Sequence, residues 1–170
     1  MPIYEFEGKR PKIGATSWVH PTAVIIGNVT IGERCWIGPN ATVRADTGTI
    51  HIGDGTNLQD NVVVHGLVAT IGSFVTVGHS AVVHGCTIGD HVLVAMNATV
   101  LDNARVGDWS VVAAGSVVAP RAVIPPYKMV MGVPASVVSD IPKERVGRFN
   151  PEPEEGYLLS PIGIRRGWWS

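Results

Sequence analysis

The stretch IGDHVLVAMNATVLDNARVGDWSVVAAGSVV, residues 88–118, decides the fold. Aliphatic side chains fall at Ile88, Val94, Val100, Val106, Val112 and Val118, one every six residues. Four residues after each stands a small or β-branched one: Val92, Ala98, Ala104, Ser110, Ser116 and Ala122. Working outward, the cadence extends back through Ile71, Val77 and Val83, then Ile52, Leu58 and Val64, then Val19, Ile25, Ile31, Ile37 and Val43. It breaks at only three places, after Val43, Val64 and Val83. The small positions continue likewise, as at Ala23, Cys35, Ala41, Thr47, Thr56, Val68, Ala81 and Thr87. Asn40, Asn61, Asn97, Asn103 and Gly115 recur at the third place after the aliphatic residue, where a tight corner asks for a residue that tolerates positive φ.

One large and one small inward residue followed by a corner describe one side of a triangular prism, so three units close an 18-residue coil. The pattern is the hexapeptide repeat of parallel β-helices. Seventeen units make nearly six coils, stacked about 4.8 Å apart. The expectation is an all-β chain: a β-helix over residues 1–136 including an N-terminal cap, then a C-terminal tail over 137–170. Val and Ile number 26 and 14 against 6 Leu, which suits pleated strands better than helix cores. Beyond residue 124 the cadence stops and Pro becomes frequent. Asp140 to Phe149 is expected as one short helix with Asp140 as its cap.

The 170 residues are 45% hydrophobic and 16% charged, with a net charge of −1. That balance gives no electrostatic footprint for nucleic acid or an anionic membrane. No apolar run reaches the roughly 18 residues of a membrane span, and no hydrophobic signal core opens the chain, so a cytoplasmic protein is expected. Cys35 and Cys86 stand in no paired motif, which excludes a disulfide framework and a thiolate zinc site. Cys35 is read as an inward residue and Cys86 as a corner residue.

In register, Ile25, Val43, Val64, Val83, Val100 and Val118 share the second side of the prism. The residue after each points outward, and in three successive coils these are Arg44, His65 and His84. Two histidines one coil apart have Cβ atoms about 5 Å from each other and can share one ion. A catalytic zinc takes three protein ligands and keeps one position open. The candidate third, His79, lies five residues before His84, roughly 16 Å along an extended strand, at the opposite border of the same side with Gln59 and Asp60. It reaches the ion only from a second copy. A trimer packed around a threefold axis brings the His65/His84 edge of one chain to the Gln59/Asp60/His79 edge of the next, and faces Arg44 toward the neighbour's Asp60. His20, His51 and His91 lie outside these columns and are read as surface.

At these residues the chain resembles the gamma-class carbonic anhydrases and the carbonic anhydrase-like hexapeptide proteins, which are left-handed β-helices. The matching runs are Val43-Arg44-Ala45-Asp46, Thr49-Ile50-His51-Ile52-Gly53, Asn57-Leu58-Gln59-Asp60-Asn61, Val64-His65-Gly66 and Gly78-His79-Ser80-Ala81-Val82-Val83-His84-Gly85-Cys86. They fall within a resemblance running from about residue 10 to 136. The resemblance implies a homotrimer binding zinc, with iron or cobalt as substitutes, through His65, His84 and the adjacent subunit's His79. It further implies an ion-pair network of Arg44, Asp46 and Asp60, Gln59 beside the metal-bound solvent, Asn57 shaping the site, and hydration of CO2 to bicarbonate. The chain departs from the pattern where Thr47 replaces an expected glutamate, and only 13 residues separate His65 from His79, so an acidic loop is missing. Both proton-transfer carboxylates are therefore absent, and Tyr157 is a tail residue that would compensate.

Two other functions compete. Many trimeric hexapeptide enzymes transfer acyl groups from coenzyme A with a histidine at the subunit seam, and Met131-Gly132-Val133-Pro134-Ala135 resembles the end of their β-helices; hydrolysis of acyl thioesters at the metal is a variant of this. The other is a non-catalytic scaffold welded by metal. The terminal Trp168-Trp169 pair is read as an anchor on the protein's own surface.

Overall fold

The computed structural model describes residues 2–142. These form a left-handed parallel β-solenoid of hexapeptide coils with no helix among the described residues. All seventeen aliphatic positions of the cadence are buried, none more than 7% exposed. They line the axis of the prism together with small residues such as Ala23, Ala41, Ala81, Ala98 and Ala104. Large and small residues alternate because three walls converge on a narrow lumen, where two large side chains at adjacent positions would collide.

The first side is an eight-stranded sheet running from Trp18–Val19 through Trp36–Ile37, Asn57–Leu58, Thr76–Val77, Leu93–Val94, Val111–Val112 and Lys128–Gly132 to Ala135–Asp140. The second and third sides are joined into one sheet, because Val24–Ile31 and Thr42–Ile52 run unbroken around the corner between them. Corner residues Asn40, Asn61, Asn97 and Asn103 all take φ between +56° and +61°, as the repeat requires.

Three expected inward positions are corrected. Thr47, Val68 and Thr87 face outward, and Ile50, Ala69 and Cys86 fill the lumen in their place, Ile50 standing in register with Val29 and Ala69. The reason lies in the cadence: nine, seven and five residues, rather than six, separate Val43 from Ile52, Val64 from Ile71 and Val83 from Ile88. All three irregularities fall at the corner between the second and third sides, so counting four onward misses the wall there. Cys86 is thus a core residue rather than a corner residue, and desolvation pushes its thiol up to about 12. Burial likewise raises the thiol of Cys35, which contacts the Gly53 carbonyl at 3.2 Å.

His91 is also more than surface. Its ring stacks on Trp109 at 3.7 Å and 3°, and on Phe74 at 5.0 Å, forming an aromatic column along the corner between the third and first sides. At the C-terminal end Ala135–Asp140 folds back antiparallel on Lys128–Gly132 and closes the edge of the first sheet. Ile141 then packs on Leu93, Val111, Trp109 and Met129. Asp140 ends that strand, paired with Lys128. The remainder of the expected helix, Tyr157 and the Trp168-Trp169 anchor lie outside the described residues.

Candidate functional site

The second side ends in a column of outward side chains at one position per coil. Strand pairing places Arg44 beside His65 and His65 beside His84, in register. The imidazole centroids are 5.2 Å apart and tilted by 56°. His65 Nδ1 and His84 Nε2 face each other across 3.2 Å.

Each outer nitrogen meets a carboxylate. Asp46, from the enlarged corner of the preceding coil, holds His65 Nε2 at 3.1 Å and also pairs with Arg44. Asp102, from the following coil, holds His84 Nδ1 at 3.0 Å. Five side chains thus run in line: Arg44, Asp46, His65, His84, Asp102. Burial pushes the Asp46 carboxyl up, but hydrogen bonds from His65 and Arg44 and the guanidinium charge outweigh it and hold the group below the usual aspartate range.

The proton count in this chain constrains its chemistry. Two neutral imidazoles carry two N–H protons, and the two carboxylates, which only accept, draw these to His65 Nε2 and His84 Nδ1. The lone pairs left on His65 Nδ1 and His84 Nε2 then point at each other across 3.2 Å. A metal ion placed in that gap would be held by both lone pairs. Two zinc–nitrogen bonds of about 2.0–2.1 Å meeting near the tetrahedral angle separate their nitrogens by about 3.3 Å, so the pair fits a shared zinc.

The opposite border of the second side carries the other candidates. His79 Nδ1 is 3.2 Å from Asp60 Oδ2, and the His79 backbone N–H donates to Gln59 Oε1 at 3.2 Å. Asn57 lies on the first side, 5% exposed, with its Oδ1 buried and without a hydrogen-bond partner. Among the described residues of one chain, no group of three His, Cys, Asp or Glu side chains is arranged to hold a metal ion. Within one chain, then, the structure joins Arg44, Asp46, His65 and His84 on one border and Gln59, Asp60 and His79 on the other. Arg44 pairs with its own chain's Asp46, one member of the expected ion-pair network; a neighbour's Asp60 lies outside the single chain. Thr47 stands exposed on the enlarged corner.

Between the borders runs an uncharged wall whose outward residues are Val24, Thr42, Val63, Val82, Thr99 and Val117. Asp102 was missed in the sequence. Its signal was there: it lies two residues after Val100, one coil on from His84, beside the shortened corner.

Family models match this architecture along much of the chain. The bacterial transferase hexapeptide (six repeats) matches residues 10–45 and 85–120, and the hexapeptide repeat of succinyl-transferase matches residues 28–65. The chain is 38% identical over 144 residues to the carnitine operon protein CaiE of Escherichia coli, covering 83% of this chain and 74% of that protein. It belongs to the hexapeptide-repeat transferase family. Among solved members, a hexapeptide transferase family protein from Anaplasma phagocytophilum is similar at 34% identity and TM-score 0.85, covering 88% of this chain and 90% of that one. A Bacillus cereus protein described as a putative acetyltransferase is similar at 32% identity and TM-score 0.83, covering 86% and 87%.

Proposed function

We propose that the chain is a homotrimeric acyltransferase that moves an acyl group from a thioester donor of the coenzyme A class to an acceptor hydroxyl or amine, at seams between subunits. Membership of a transferase family and similarity to a protein described as an acetyltransferase support the reaction class. The observation that carries it is that His65, His79 and His84 each have their own carboxylate at 3.0–3.2 Å. An imidazole backed by a carboxylate is a general base. It takes the proton of the acceptor as the acceptor oxygen or nitrogen attacks the thioester carbonyl. The tetrahedral intermediate then collapses, the C–S bond breaks, and the imidazolium returns the proton to the leaving thiolate. The uncharged second side suits burial around a threefold axis, and setting its two borders on neighbouring copies brings His79 to His65 and His84. In that arrangement Arg44 and Asp46 orient His65, Asp60 orients His79, Gln59 presents its amide to the substrate, and Asn57 shapes the wall behind it.

The 3.2 Å gap between His65 Nδ1 and His84 Nε2 favours a second function, carbonic anhydrase-like hydration of CO2. There His65 and His84 of one subunit with His79 of the next would hold zinc, or iron or cobalt. A divalent ion so held lowers the pKa of its bound water to about 7. Assays of acyl-thioester turnover and CO2 hydration on the purified trimer, before and after chelation, separate the two. Thioester turnover that survives chelation establishes the transferase; CO2 hydration abolished by chelation establishes the alternative. Bound metal and an intact trimer with neither activity would leave a structural role and overturn both.

A further inference from the structure

We infer that Asp102 is a positioning residue that fixes His84 in one tautomer and so determines which of its nitrogens works at the site. The carboxylate lies 3.0 Å from His84 Nδ1, which must carry the proton to donate to it, and Nε2 is left with its lone pair aimed at His65. Asp46 does the same for His65 from the opposite coil, but through Nε2. The two carboxylates therefore bracket the imidazole pair and turn both remaining lone pairs inward.

The backbone is shaped for this contact. Gly85, the residue after His84, has φ +55°, and a Cβ there would lie 2.4 Å from Asp102 Oδ1. The space over Gly85 is thus taken by the carboxylate. Asp102 is itself anchored by its main chain, whose carbonyl accepts the Arg121 N–H at 2.9 Å, while the Gly85 carbonyl accepts the Asn103 N–H at 2.7 Å. One bond ties the coil of Asp102 to that of His84 and the other ties it to the coil beyond, so the carboxylate is delivered to His84 by backbone held on both faces. It does not touch the inward lone pairs; it acts through His84.

The consequence for activity rests on the seam site proposed above, but the tautomer does not. The test compares wild type with Asp102→Ala and Asp102→Asn as full-length protein stripped of metal. Long-range 1H–15N spectra of histidine-labelled protein report which nitrogen of His84 is protonated. Zn2+ titration of the same samples reports affinity, and the assembly state checks the fold. The expected result is a single Nδ1–H tautomer in wild type and a mixture of both tautomers in Asp102→Ala, with an unchanged trimer. Zn2+ affinity then falls about 10- to 100-fold, the usual cost of losing a carboxylate behind a metal-binding histidine. Asp102→Asn, which keeps an acceptor of the same shape, lies between the two. An unchanged His84 tautomer in Asp102→Ala, or a wild type in which Nε2 carries the proton, overturns the inference. Wild type that neither binds Zn2+ nor turns over thioester would sink the proposed function while the tautomer still decides the role of Asp102.

Discussion

The seam site makes a quantitative demand on mixed assemblies. His65 and His84 lie at one border of the second side and His79 at the other, so no seam needs an entire wild-type chain. His84→Ala destroys the first half-site and leaves the second; His79→Ala does the reverse. Each variant alone has three seams lacking one histidine, and both should lose stoichiometric zinc and seam activity. In trimers assembled from equal amounts of the two, a seam is complete when its His65/His84 border comes from a His79→Ala chain and its His79 border from a His84→Ala chain. Each condition holds for half the chains, so about one quarter of seams are restored under closed threefold symmetry. Differently tagged variants, co-expressed and purified through both tags, would be assayed for bound zinc, thioester turnover and subunit stoichiometry by native mass spectrometry. Double selection discards the pure trimers and raises the restored fraction to about one third, because every mixed trimer then contains one complete seam of three. Mixed trimers that recover nothing, or a His79→Ala trimer that keeps stoichiometric zinc, would refute the placement of His79 across the seam.

Further outcomes follow from the core and from titration. Leu58 is fully buried in the lumen, and Leu58→Ala should lower stability by about 2–5 kcal/mol, read from urea midpoints at one fixed protein concentration; a loss under about 1 kcal/mol would mean the lumen collapses around the gap. Asp46 is held below the usual aspartate range, so its contribution is present above the ordinary carboxylate value and is lost as pH falls through the lowered one. The stability gap between wild type and Asp46→Asn should accordingly be widest near neutral pH and close in acid; a gap that does not change with pH would contradict the assignment of its partners. With its thiol pushed up to about 12 and buried with Cys35, Cys86 should be silent to thiol reagents at pH 8 until the chain is unfolded. Stoichiometric labelling of the folded protein would place Cys86 outside the lumen.

What could be known from the chain alone was the solenoid and most of its wall. A β-branched residue every sixth position can be buried only if the backbone turns at the same interval, so Ile88 to Val118 dictate coil, corner and lumen together. The columns of Arg44, His65 and His84 follow by counting, because stacked coils place equivalent positions side by side. Counting fails where coils differ in length. The corner after Val43, Val64 and Val83 adds or drops residues, and there only the three-dimensional path shows that Ile50, Ala69 and Cys86 replace Thr47, Val68 and Thr87 inside. The same corner carries Asp46 back onto His65 and brings Asp102 to His84, where the missing side chain of Gly85 leaves room for the carboxylate. A repeat specifies what recurs; the pairing of single carboxylates with single imidazoles depends on departures from it, and tertiary structure alone resolves those.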